Sequence, residues 1–196
     1  MRKSKEETAR TRERIVDAAA KDFREKGIEA TGLAELMASA GLTHGGFYRH
    51  FESKDQLIRE ALGSAVESEA RWIASLTSGG SKHPLKKLVR SYLSPAHRDS
   101  PAGGCPFAAL GSELTRLQED GREVVNQGLS QIVALIAPKI GGASADTARL
   151  NALVAFSTMV GAMTLARIID DEKLSNTLLR EAASRVGGGG GRVPGA

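Results

Sequence analysis

Residues able to do polar chemistry crowd into one short stretch, Thr43-His44-Gly45-Gly46-Phe47-Tyr48-Arg49-His50-Phe51, with Lys54 just beyond it. Hydroxyl, imidazole, phenol, guanidinium and ammonium groups follow one another closely, a combination suited to phosphate oxygens and base edges. His44 and His50 stand six apart and fall on different faces of a short helix, which argues against a metal pair, and no cofactor is expected. The single cysteine, Cys105, excludes an internal disulfide and a Cys-rich zinc site. No motif for nucleophilic catalysis surrounds Cys105, His83 or His97, so the chain is not expected to be an enzyme.

The stretch needs a scaffold, and the residues before it supply one. Leu33–Phe51, LAELMASAGLTHGGFYRHF, has the pattern of two short crossing helices joined at a glycine. Leu33, Leu36, Ala40, Leu42 and Phe47 would be buried where the helices meet, and Gly41 would take a positive φ to end the first. Thr43 is expected to cap the second helix, about eight residues long and too short to stand alone. Phe47 and Phe51 take the inward positions, which turns Tyr48 outward. Upstream, residues 1–14 set Arg2, Lys3, Lys5, Arg10, Arg12 and Arg14 against Glu6, Glu7 and Glu13. That arm either grips phosphates or is simply solvated; charge alone does not choose.

The rest reads as helix. Apolar residues recur at helical spacing throughout, without a strand pattern, so the expectation is an all-α chain of about nine helices. Residues 1–56 would form a three-helix, helix-turn-helix unit and residues 57–186 a larger helical unit. Ser94–Gly104 reads as a loop, Pro138 and Gly141 as a break, and residues 187–196, rich in glycine, as a disordered tail. Ser53 and Gln56 have the spacing of a capping box at the head of a long helix. No apolar run is expected to reach membrane-spanning length and the N-terminus lacks the apolar core of a signal peptide, so a cytoplasmic protein is expected.

Residues 10–57, ending GLTHGGFYRHFESKDQL, resemble the DNA-binding domain of the TetR family of bacterial repressors, with Phe47–Phe51 followed by Ser53-Lys54 as the most recognisable signature. The resemblance implies that Thr31 or Gly32 opens the second helix against a phosphate and that Thr43 caps the recognition helix. His44, Gly45 and Gly46 would approach base edges, and Tyr48, His50 and Lys54 would contact DNA, chiefly phosphates. Arg49 would read a base or neutralise a phosphate. Two departures stand out. Gly45-Gly46 removes side chains where many members carry Lys or Thr, and Met37 replaces a small residue between the crossing helices.

The same resemblance implies a C-terminal unit that binds a small molecule and dimerises. Trp72, Tyr92, Phe107, Phe156, Met159 and Met163 would line an apolar pocket, or else pack as ordinary core. Cys105, at the start of a helix, is either a small buried neighbour of that pocket or a reactive thiolate favoured by the helix N-terminus. Leu150, Leu153, Val154, Met159 and Val160, with Leu174, Leu178, Leu179 and Ala182, are expected to form a two-fold four-helix interface. The function expected is a repressor that binds a palindromic double-stranded operator as a homodimer and is released by a small-molecule effector. The alternative is a regulator sensing oxidants or electrophiles through Cys105.

Overall fold

Helical periodicity is realised throughout the computed structural model, which describes residues 5–78 and 80–188. Among these residues there are nine α-helices, two 3₁₀ helices and no strand. Helix α1 (Lys5–Lys26) buries Ile15, Ala19 and Phe23 and stops at Gly27, whose φ of +95° lets its N–H close on the Phe23 carbonyl. Helix α2 (Leu33–Ser39) ends before Gly41, at φ +70° as the turn requires. Helix α3 (Lys54–Ser78) starts with the expected cap. Ser53 Oγ accepts the Gln56 N–H at 3.1 Å and Gln56 Oε1 accepts the Glu52 N–H at 2.8 Å.

Helix α4 (Pro84–Tyr92) leads into the stretch read as a loop, which instead contains α5 (Pro95–Arg98) and a 3₁₀ turn (Pro101–Gly103). Both open on proline, where a missing N–H loses nothing, and Ser94 Oγ caps α5 by accepting the His97 N–H. Then come α6 (Pro106–Leu114), α7 (Glu119–Ile140), α8 (Ala145–Ile168) and α9 (Glu172–Gly187). Pro138 does not break α7, because it falls in the last turn, where only one hydrogen bond is lost; the stop comes at Gly141. Residues 189–196, most of the expected tail, lie outside the described residues, as do residues 1–4.

Two apolar clusters share α3. The first joins Ile15, Phe23, Leu36, Met37, Phe47, Phe51, Leu57 and Leu62 to Leu110 and Leu114 of α6. The second joins Val66, Ile73, Leu88, Tyr92, Ile132, Phe156, Met159 and Leu179. The packing changes hands between Ala65 and Val66, inside the helix, whereas the sequence division falls after residue 56. Helices α3 and α7 press together at Gly128, where a Cβ would lie 1.8 Å from Val66 Cγ1. An alanine there would be overpacked, at about 1–3 kcal/mol.

Contrary to the sequence reading, α8 is long and apolar enough to cross a membrane by length and composition. One side of it is core: Ala152, Phe156, Met159 and Met163 are buried against the rest of the chain. The other side exposes Leu150, Leu153, Val154, Leu165 and Ile168.

Candidate functional site

The turn after α2 is a 3₁₀ helix, His44–Arg49, rather than the expected α-helix. The cause is local. Two adjacent glycines disfavour α-helical backbone, and the hydrogen bonds run three residues apart, Gly46 N–H to Thr43 O at 3.0 Å and His50 N–H to Phe47 O at 2.8 Å. Thr43 occupies the cap position with extended backbone, but its side chain makes no cap hydrogen bond. Phe47 and Phe51 are buried and stacked, 5.5 Å between ring centres. Tyr48 is turned out, 71% exposed, with its ring edge-to-face on Phe47. Thr43, His44, Gly45 and Arg49 are exposed beside it, and His50 is half-buried. The structure thus brings six polar or glycine positions, Thr43, His44, Gly45, Tyr48, Arg49 and His50, onto one small ledge.

Gly46 belongs to the scaffold as well as to the ledge. A Cβ there would touch Met37 Cε at 3.7 Å, while one at Gly45 would meet nothing within 4 Å. The two departures from the family pattern are therefore related: the large, fully buried Met37 reaches under the position where Gly46 has no side chain.

Two expected contact residues are used inward. Thr31 is fully buried and its Oγ1 donates to the Gly27 carbonyl at 2.6 Å, so its side chain is unavailable to a phosphate; Gly32 is the residue at the α2 cap. Lys54 Nζ donates to the Thr31 carbonyl at 2.9 Å and the Ile28 carbonyl at 3.3 Å, tying α3 to the chain entering α2. The basic arm is used the same way. Residues 5–14 lie in α1, where Arg12 pairs with Glu60, donates to the His50 carbonyl at 3.2 Å and stacks on Phe51, and Arg14 donates to the Ala40 carbonyl at 2.6 Å. These charge-assisted bonds fix the ledge from behind. Arg2 and Lys3 lie outside the described residues.

A second site lies between the two halves of the molecule. A cleft of about 380 Å³ is lined by Arg24 of α1, Ser68, Glu69 and Trp72 of α3, Ser91 of α4, and Ser94, His97 and Gly104 of the segment before α6. Of the expected pocket residues, Trp72 alone lines it. Tyr92, Cys105, Phe156, Met159 and Met163 are buried in the second core and Phe107 is half-buried against both cores, so these six pack rather than line the cleft. Their mutual ring contacts, such as Phe107 with Phe156 at 5.6 Å, explain the aromatic spacing.

The cleft's polar residues were not foreseen, although one was visible. Glu69 interrupts the buried stripe Leu62, Ala65, Val66, Ala70 and Ile73, where a charge is out of place. His97 and Arg24 gave no such signal. His97 Nδ1 donates to the Tyr92 carbonyl at 2.7 Å and Nε2 accepts the Cys105 N–H at 3.1 Å, which defines the neutral tautomer. Burial lowers its pKa, with the Tyr92 carbonyl acting the other way.

Cys105 does stand at the N-cap of α6, but it is fully buried. Burial first, and the Glu69 carboxyl second, push its thiol up to about 12. Of the two readings of Cys105, the fold realises the small buried residue, and loss of solvation outweighs the helix dipole at its thiol.

Comparisons with known proteins agree with this geometry. The family profile "Bacterial regulatory proteins, tetR family" matches residues 15–61, and "Tetracyclin repressor-like, C-terminal domain" matches residues 82–182. An uncharacterised HTH-type transcriptional regulator of Mycobacterium tuberculosis is 30% identical over 192 residues, covering 89% of this chain and 97% of that protein. The HTH-type transcriptional repressor BepR of Brucella suis is 42% identical over 91 residues, 46% of this chain and 44% of BepR. Among solved structures, a TetR transcriptional regulator from Chloroflexus aurantiacus is similar at TM-score 0.71 and 30% identity, covering 93% of this chain and 95% of that one. The reduced form of NemR from Escherichia coli is similar in fold at TM-score 0.74 and 22% identity, over 90% of this chain and 95% of that one.

Proposed function

Since the chain belongs to the TetR family of bacterial transcriptional regulators, we propose that it is a cytoplasmic repressor that binds a palindromic operator as a homodimer and is released by a small molecule. The observation that carries this reading is the ledge: Tyr48, His44 and Arg49 exposed on a turn whose back is bolted down by Arg12, Arg14 and Lys54. Residues 1–56 would serve as the DNA-binding unit and residues 57–186 as the effector and dimerisation unit. Thr43, Tyr48 and His50 would meet phosphates. His44, Arg49 and the open backbone at Gly45 would meet bases, leaving part of the specificity to DNA shape.

Dimerisation would use the outer side of α8 with α9. Leu150 is 60% and Ile168 67% exposed, and Leu153, Val154, Leu165 and Leu174 continue the same apolar surface. Gly161 lies on this side, with nothing within 4 Å of a Cβ built there, so a partner helix could approach closely. Met159, Leu179 and Ala182 face the chain's own core and would take no part.

Release would act through the cleft. Arg24, in the last turn of α1, donates from Nε to the Ala102 carbonyl at 2.7 Å, so one arginine both lines the cleft and ends the helix that supports the ledge. A ligand that favours a displaced Arg24 would shift the population toward a form with altered spacing between the two recognition turns.

The test begins by selecting genomic fragments with the purified protein. The recovered palindrome should bind at least about 10³-fold tighter than random DNA at physiological salt, with affinity falling steeply as salt rises. Equal affinity for both DNAs would refute a sequence-specific repressor.

A further inference from the structure

Glu69 is 6% exposed in the middle of the apolar face of α3, and its Oε1 has no hydrogen-bond partner. Of the buried polar atoms without a partner among the described residues, it alone belongs to a side chain lining the cleft. Titratable and charged groups surround it from several elements, while α7 packs on α3 through the apolar Val125 and Ile132 and through Gly128. The titratable and charged groups are Arg24 of α1, Tyr92 of α4, His97 of α5 and Cys105 before α6, with Arg167 of α8 behind Tyr92 and Cys105. The Cys105 thiol hydrogen-bonds to the Glu69 carboxyl, but Oε1 itself has no partner. Arg24 acts on the carboxyl through its charge, with its Nε donating to the Ala102 carbonyl, and the ring N–H of His97 is committed to the Tyr92 carbonyl.

The balance of charge follows the same line. Burial raises the Glu69 carboxyl to about 7, and the Cys105 thiol and Arg24 guanidinium offset only part of that rise. The carboxylate is therefore under-neutralised despite a nearby arginine. A cation placed at Oε1 would supply both the missing donor and the missing charge. The adjoining Trp72 offers an indole to the body of such a ligand, and aromatic faces attract cations.

Resting on the reading of this cleft as the effector site, we propose that it takes a small organic cation, a protonated amine on an aromatic body, with Glu69 Oε1 accepting from the ammonium group and Trp72 covering the ring.

Trp72 is the chain's one tryptophan, so its fluorescence reports on the cleft. The full-length protein would be titrated with 2-phenylethylamine, 2-phenylethanol and 3-phenylpropionate, at pH 6 and pH 8. The amine stays protonated at both values, while Glu69 must give up its proton to bind it below pH 7. The expected result is a saturable signal with the amine, about tenfold tighter at pH 8 than at pH 6, and weaker or absent signals with the alcohol and the acid. Glu69→Gln, checked for folding by circular dichroism, should weaken amine binding at least about tenfold and flatten the pH dependence.

Should that variant not fold, calorimetry of the natural chain at pH 6.5 in two buffers of different ionisation enthalpy decides: proton release on amine binding supports the proposal and its absence overturns it. No signal with the amine, or equal or tighter binding of alcohol or acid, also overturns it. If the alcohol or acid binds and releases operator DNA, the cation is wrong but the effector reading stands. If the amine binds through Glu69 without changing operator affinity, the site is supported and the effector reading fails.

Discussion

The carboxylate of Glu113 in α6 accepts the backbone N–H of Ile28 at 2.8 Å, joining the C-terminal half of the chain to the turn that leads into the helix-turn-helix. The same Oε2 accepts the Glu29 N–H at 3.2 Å, and Oε1 lies 3.0 Å from where a Cβ at Gly27 would stand. Together with Arg24 and Ala102, this makes two links between α1 and the segment around α6. Glu113→Ala would strand the part-buried Ile28 N–H and leave the exposed Glu29 N–H to water, so unfolding by urea should show a loss of about 1–3 kcal/mol. An unchanged midpoint would mean that water replaces the carboxylate without penalty.

Tyr48 and Lys54 should fail in different ways. Tyr48→Phe removes an exposed hydroxyl and is expected to weaken operator and random DNA alike with no change in melting temperature. Lys54→Ala removes two charge-assisted bonds to Thr31 and Ile28, so it should lower stability and DNA affinity together while leaving the salt dependence unchanged. If instead the logarithmic salt slope falls by about 0.9, the ammonium is neutralising a phosphate directly.

On the proposed reading, His44 and Arg49 would read bases. Replacing either by Ala should narrow the gap between operator and random DNA, with each lost base contact worth about 1–3 kcal/mol. Fluorescence anisotropy on both DNAs measures this; equal losses on the two would move these residues to the phosphates.

The exposed side of α8 is tested by charge. Leu150→Glu with Ile168→Glu would set like charges face to face across a two-fold axis, and sedimentation should show a dimer for the natural chain and a monomer for the variant. A variant that remains dimeric would place the interface elsewhere.

Cys105 should resist iodoacetamide at pH 7.5 in the native protein and react once unfolded, because its thiol, pushed up to about 12, is almost wholly protonated in the fold. Native labelling at the unfolded rate would restore the thiol sensor as an explanation.

Much of the fold was legible because helices announce themselves locally. Apolar spacing, the Ser53–Gln56 cap and the positive-φ turn at Gly41 are properties of a few neighbouring residues, and each recurs in the structure. So is the inward phase of Phe47 and Phe51, which alone suffices to turn Tyr48 outward. The α5 turn and the 3₁₀ form of His44–Arg49 were missed because proline and glycine signal an interruption without saying which short turn replaces it.

The sequence by itself thus determined an all-helical chain, the place of the helix-turn-helix and the identity of its exposed residues. Tertiary structure decided how the polar groups are spent. Lys54, Arg12 and Arg14 look like phosphate ligands in a list of charges, yet each finds its partner 23 to 48 residues away in the chain. The cleft is likewise invisible in sequence, since Arg24, Glu69 and His97 come from three helices that meet only on folding. Burial also chose between the two readings of Cys105, in favour of the protonated buried thiol. Solvation depends on the whole surrounding shell, whereas local spacing carries only the helix to which a residue belongs.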